Sequence, residues 1–176
     1  MKSVIQENVS SERPGLIGWE QALIAESPDE CIAEKVAEAI CLLFERDGHL
    51  LVRQAHEQSI TASLMCHLRP LFADLHVDCE FNRDCGHKND IKRHEGKNVR
   101  PDIIVHIRGS ETDNLLVIEA KQSDIETDVD GEDEHDIEKL TNYQKVQHYR
   151  YALFLKFISG ESGTGLWRLK WVAPPA

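Results

Sequence analysis

The stretch that decides the fold runs Arg100-Pro101-Asp102-Ile103-Ile104-Val105-His106-Ile107, crosses a polar segment from Arg108 to Asn114, and resumes as Leu115-Leu116-Val117-Ile118-Glu119-Ala120-Lys121-Gln122. Both flanks are β-branched and apolar, and the linker carries a Gly, a Ser and an Asp-Asn pair, which predicts two neighbouring antiparallel strands. Alternation along a strand puts Glu119 and Lys121 on one face. Asp102 opens the first strand behind a proline that cannot donate to a ladder. Pairing of the two strands brings an aspartate, a glutamate and a lysine together. Hard carboxylate oxygens beside a lysine suit a divalent ion acting on a phosphate ester. A same-face ion pair on an exposed strand is the plainer alternative. Against it, Glu119 leaves directly from an apolar run, where an unpaired charge is costly.

Pro101-Asp102, a hairpin, and then Glu119-Ala120-Lys121 resembles the signature of the PD-(D/E)xK nuclease superfamily. The resemblance implies an α/β restriction-endonuclease-like core, with a mixed β-sheet flanked by helices. It also implies a metal-dependent nuclease hydrolysing phosphodiester bonds, DNA foremost. In that reading Asp102 and Glu119, with the Ala120 carbonyl, hold Mg²⁺ or Mn²⁺, and Lys121 positions a water or offsets developing charge. Glu57 lies one turn before the buried Ile60 on a predicted helix. The resemblance makes it a further metal-site acid, because the helix before the sheet often supplies one in that superfamily. The helix dipole alone also accounts for an acid in a first turn. Glu80-Phe81-Asn82-Arg83 further resembles a group of uncharacterised bacterial nuclease-fold proteins, with Glu80 and Asn82 as support for the site. Gln122 sits beside Lys121 as a further supporting residue. Gln147-His148-Tyr149-Arg150-Tyr151 matches a Q-x-x-x-Y pattern similar to the exonuclease-type branch, and helical spacing would place Gln147 and Tyr151 one turn apart.

The 176 residues suffice for one domain with a sizeable core, and the 41% hydrophobic content is that of a globular chain. No apolar run is long enough to span a bilayer, and Met1 to Asn8 lacks a signal-peptide core, so the expectation is a cytoplasmic protein without a membrane. The five cysteines are scattered, and three fall in helical segments as small buried hydrophobes, as a reduced compartment allows. Cys79, Cys85, His87 and His94 fit zinc spacing poorly. His106 reads as a hydrogen-bonded histidine within its strand.

Charge is segregated. Nine acids lie between Asp124 and Glu138, and without them the net charge of −11 would be near −2. Arg83, Lys88, Lys92, Arg93, Lys97 and Arg100 outnumber the acids of their own segment, which leads straight to Asp102. A phosphate-contacting loop and an ordinary solvated loop both account for that. A nucleic-acid partner follows from the first, and nucleases of this kind often pair, which allows a homodimer. A catalytically silent nuclease fold that binds a protein, or an acidic nucleic-acid mimic, is the alternative reading.

The order predicted along the chain begins with a loosely packed arm over 1–26, followed by a single domain over 27–176. Ser27-Pro28-Asp29-Glu30 starts a helix that Asp47-Gly48 should end. A second helical region over His49 to Leu71 breaks near Ala55. Leu75 to Arg83 alternates as a strand. The acidic segment, about 123–136, is expected to be a flexible loop. A long helix from Asp136 through Phe157 and an edge strand over Gly165 to Val172 complete the chain.

Overall fold

A computed structural model describes residues 18–81, 100–110, 112–124, 132–160 and 165–173, with the backbone alone of 93–94 and 97–98. The order is α1 (Trp19–Ala25), α2 (Glu30–Val52), α3 (Glu57–Leu71), β1 (His76–Cys79), β2 (Arg93–His94), β3 (Lys97–Asn98), β4 (Ile103–His106), β5 (Asn114–Asp124), α4 (Glu132–Gln147), β6 (Tyr151–Ser159) and β7 (Gly165–Val172). Five strands form one mixed sheet in the order β1-β4-β5-β6-β7, and β2 pairs with β3 separately. Among the described residues only β5 and β6 are parallel; every other pairing is antiparallel. A parallel pair needs a crossover, and α4 is that crossover.

Alternation splits the sheet's side chains between two cores. Ile103, Val105, Leu116, Ile118, Ala120, Leu153, Leu155 and Phe157 join residues of α1, α2 and α3. Ile104, Val117, Ala152 and Phe154 pack on the other side with Ile137, Leu140 and Tyr143 of α4. The result is an α/β sandwich with three helices on one face and one on the other. Phe44 links Trp19 and Phe157 through edge-on ring contacts at 5.8 and 6.1 Å. Burying a side chain as large as Phe157 contributes about 1.5–3 kcal/mol.

Several expectations change. The arm over 1–26 does not extend through its last third: α1 buries Leu23, whose carbonyl accepts from Trp171 Nε1 at 2.8 Å. Helix α2 is capped by Asp29, whose side chain accepts from the Ile32 N–H at 3.1 Å. Gly48 does not end α2 but lies buried within it. The helix ends instead at Gln54, in the left-handed region (φ 52°), with Gln54 N–H bonded to Leu51 O and Ala55 N–H to Leu50 O. That is a Schellman closure made with glutamine where glycine is usual. The break near Ala55 falls where periodicity placed it.

The predicted helix from Asp136 through Phe157 is two elements. Helix α4 begins within the acidic run, at Glu132, and stops at Gln147, with His148 left-handed (φ 58°). The Asn114 amide donates to Gln147 O at 2.7 Å, and Arg150 N–H to Asn114 O at 3.0 Å, so the exit is fixed by the sheet. The chain then enters β6. The acidic segment is therefore helix and strand at its ends: Ser123 and Asp124 belong to β5, and Asp133 and Asp136 are buried in α4. Cys31 and Cys66 are exposed and Cys41 half-buried, so these three are not core hydrophobes. Strand β7 lies at the sheet edge as expected.

Asp29 also receives the Tyr151 hydroxyl at 2.8 Å, tying the start of α2 to the start of β6. Asp29→Ala removes a helix cap and this tie together, and should lower stability by about 1–2 kcal/mol. A urea unfolding curve with an unmoved midpoint would refute the tie.

Candidate functional site

Register brings the first pair together. Ile103 pairs with Ile118 across β4 and β5, so Asp102, one residue before Ile103, falls opposite Glu119. The Ala120 N–H donates to Asp102 Oδ2 at 2.8 Å, and Asp102 O accepts from the Glu80 N–H at 3.1 Å. Alternation turns Glu119 and Lys121 toward α4, on the face that Val117 shares. Glu57 reaches the same place from the first turn of α3. The Gln122 N–H and the Lys121 charge both act on its carboxylate, and its own charge is felt by Asp102. The four residues expected at one site stand at one site.

Helix α4 adds members that the sequence reading missed. Lys121 Nζ lies 2.9 Å from Asp136 Oδ2. Lys139 Nζ lies 3.1 Å from Glu119 Oε2 and contacts Asp136 Oδ1. Tyr143, fully buried one turn further on, carries a hydroxyl without a hydrogen-bond partner and feels the charges of Glu119 and Asp102. Asp136, Lys139 and Tyr143 recur at helical spacing, so they share a face once α4 starts at Glu132. The available signal was charge interleaved with Ile137 and Leu140 at the start of the predicted helix.

The electrostatics are those of an under-compensated pocket. Glu57, Asp102, Glu119 and Asp136 face two lysines. Glu119 is 3% exposed, and its Oε1 has no hydrogen-bond partner. Burial, then Asp102, push its carboxyl well above the usual range, with Lys139 opposing. Burial raises Asp102 to about 7, against the pull of the Ala120 N–H, with Glu57 adding to the rise. Burial also raises Glu57. Asp136 moves the other way: burial works against its charge, but Lys139 and Lys121 hold its carboxyl below the usual value. Those same acids keep Lys139 protonated despite its own burial.

Other candidates lie elsewhere or play smaller parts. The Glu80 carboxylate accepts from Gln58 Nε2 at 2.5 Å and lies 3.5 Å from Arg100, so it braces the α3 start and an exposed arginine. Glu80 itself has left β1 with φ 47°, so it does not continue the strand's alternation. The Gln122 amide donates to Ala55 O at 2.8 Å, holding β5 against the α2–α3 junction. Gln147 and Tyr151 do not share a helical turn: Gln147 ends α4, whereas Tyr151 opens β6 and packs against the α1–α3 core. Tyr151→Phe should therefore leave any cleavage activity unchanged while costing about 1 kcal/mol for the lost bond to Asp29. A paired activity and unfolding measurement checks both halves. Asn82, Arg83, Lys88, Lys92, Cys85 and His87 lie outside the described residues. For Arg93, Lys97 and His94 the backbone pairing of β2 with β3 is defined, not the side chains.

A second polar cluster occupies the sheet's other end. Asp78 of β1 accepts from His106 Nε2 at 2.9 Å and Arg108 Nε at 2.8 Å. Arg108, then His106, draw its carboxyl down to about 2 against the effect of burial. His106 is thus the hydrogen-bonded strand histidine that was expected.

Among the described residues, no three acids, histidines or cysteines already stand in ion-coordinating geometry, and no helix is long and apolar enough to cross a membrane. The donor chemistry nevertheless fits a hard divalent ion: carboxylate oxygens only, one of them buried and unpartnered. No protein-family model matches the chain, and neither the curated proteins nor the solved structures give a match.

Proposed function

We propose that the chain is a metal-dependent nuclease of restriction-endonuclease-like type, hydrolysing phosphodiester bonds in nucleic acid, DNA foremost, with Mg²⁺ or Mn²⁺. The observation that carries this reading is the convergence of Asp102, Glu119, Glu57 and Lys121 in a pocket whose carboxylates outnumber its lysines by two. An excess of two carboxylates is what a divalent ion can compensate. Such an ion would lower the pKa of a water and steady charge on the phosphate. Asp102 and Glu119 would hold it from two paired strands, and Glu57 from α3. The Ala120 N–H fixes one oxygen of Asp102, leaving Oδ1 for a ligand. Lys121 is a compact point charge suited to a phosphate oxygen or to orienting a water. Its ammonium is held 2.9 Å from Asp136 Oδ2. Arg100, exposed and 3.5 Å from Glu80, would serve as a contact to the phosphate backbone of a substrate.

A specific observation also favours the silent alternative. Lys139 already joins Glu119 to Asp136, so part of the pocket is neutralised without an ion. In that reading the fold serves a protein partner or mimics nucleic acid through its acidic run. The mimic is weakened by Asp133 and Asp136, which are buried in ion pairs and present no charge to a partner.

The test is cleavage of plasmid, linear duplex, single-stranded DNA and RNA with Mn²⁺ or Mg²⁺, beside Asp102→Ala and Lys121→Ala. Metal-dependent cleavage by the wild type alone supports the enzyme. Inactivity on all four substrates, with no heat of Mn²⁺ binding, would transfer the reading to the silent fold.

A further inference from the structure

Other acid-centred clusters among the described residues are met by their own partners. Ser63 and His67 share Asp47, His106 and Arg108 share Asp78, and Lys156 and Arg168 share Asp133. The Glu119–Lys139–Asp136 group differs, because a buried carboxylate oxygen, Glu119 Oε1, is left without a partner beside it. We propose that the Lys139 ammonium holds a cation position between Glu119 and Asp136 that a divalent ion takes over, which makes Asp136 a ligand of the loaded site. The proposal rests on the metal-dependent reading above, and goes beyond it by adding a ligand and a built-in competitor.

Two carboxylate oxygens from separate elements, β5 and α4, converge on one point, where Nζ sits. Convergence of that kind defines a cation position whichever cation fills it. Small divalent ions bind oxygen at about 2.0–2.2 Å, so the 3.1 Å contact from Glu119 must close by about 1 Å. Glu119 Oε1 gives up no hydrogen bond when the carboxylate turns to do so. Lys121 keeps Asp136 Oδ2 at 2.9 Å, so Oδ1, the oxygen Lys139 now contacts, is the one released to the ion. The Lys139 side chain is 21% exposed, against 4% and 7% for its two acids. The lysine therefore has a route to solvent along its own flexible stem, and the acids stay behind. Exchanging one ammonium for one divalent ion also lowers the pocket's excess negative charge by one.

Three arms test this on the full chain with Mn²⁺ alone. Calorimetry should show Lys139→Met binding Mn²⁺ at least about tenfold tighter than wild type, because the competitor is gone. Asp136→Asn should bind about tenfold more weakly, because a charged ligand is lost. Amine-directed acetylation of wild type, read by mass spectrometry, should modify Lys139 faster with Mn²⁺ than with EDTA, and needs no variant to fold. Unchanged or weaker binding by Lys139→Met, or equal Lys139 labelling in the two conditions, overturns the exchange while leaving a wild type that binds Mn²⁺ as a metal protein. Unchanged Mn²⁺ affinity in Asp136→Asn overturns its role as a ligand. Absence of Mn²⁺ binding in wild type and Lys139→Met alike overturns the metal-dependent reading and the exchange together.

Discussion

Asp102→Ala and Lys121→Ala should each reduce Mn²⁺-dependent cleavage by about 10²–10³-fold or more, the effect of removing one preorganised charged group from a reaction centre. The two losses should differ in kind. Asp102 is bound to the Ala120 N–H and faces Glu119, so under the proposed function its removal takes away an ion-holding oxygen. Activity lost that way should return in part at high Mn²⁺. Lys121 binds no ion, and its loss should persist at saturating metal because the charge it offers the phosphate is missing. Initial rates across a Mn²⁺ titration separate these outcomes. Equal rates for wild type and both variants would remove the pocket from the chemistry.

The metal-free protein should lose stability as pH rises from about 4 to 7, a consequence of the same carboxylates. Asp102 moves from an ordinary 3.8 to about 7 in the folded chain. Across that window the folded state binds the proton more tightly than the unfolded state, so unfolding free energy falls with rising pH. Three units at about 1.36 kcal/mol each give an upper figure of about 4 kcal/mol, and partial solvent access of Asp102 brings it nearer 2–3. Glu57 and Glu119 shift in the same direction. Asp78, drawn down to about 2, acts oppositely but only below pH 4. Urea unfolding in EDTA at successive pH values measures this. Asp102→Asn should flatten the decline and be more stable than wild type at pH 7. Saturating Mn²⁺ should restore stability above pH 6 through binding to the folded state alone. A wild-type profile in EDTA that climbs between pH 5 and 7, in step with Asp102→Asn, would show that the carboxylates carry no such strain. Read together, the two experiments predict a site kept at a cost to stability.

Part of this was legible from local pattern because it depends on local pattern. Strands β4 and β5 are consecutive and antiparallel, so their β-branched runs and the polar turn between them specified the pairing, and the pairing brought Asp102 to Glu119. Lys121 followed from a period of two. Glu57 lay one turn before Ile60 on a predicted helix, and the family resemblance made it a candidate for the site. Two misreadings have a common origin. Gly48 looked like a helix stop and His148 did not, yet Gln54 and His148 are the residues that adopt the left-handed conformation. Tertiary packing supplies what propensity lacks there: Asn114 and Gly160 anchor the adjoining backbone. Strand β6 is buried on both faces, as the inner parallel strand of a sandwich must be, so Ala152 to Ile158 shows no alternation to distinguish it from helix.

By itself, then, the sequence determined a compact α/β chain, the hairpin at its centre, and the aspartate, glutamate and lysine that the hairpin presents. Each of these depends on residues close in sequence, whose spacing is converted to a shared face by strand or helix geometry alone. Only the tertiary structure decided where α4 lies and what it contributes. Asp136 reaches Lys121 and Lys139 reaches Glu119 because the crossover from β5 to β6 lays α4 over that face of the sheet. Two of the acids in the stretch expected to be a flexible loop are drawn into the fold by that packing. Buried Asp133 and Asp136 are held by lysines and an arginine from other elements. Charge compensation between elements distant in sequence leaves no periodic trace, and so it emerges only when the chain is folded.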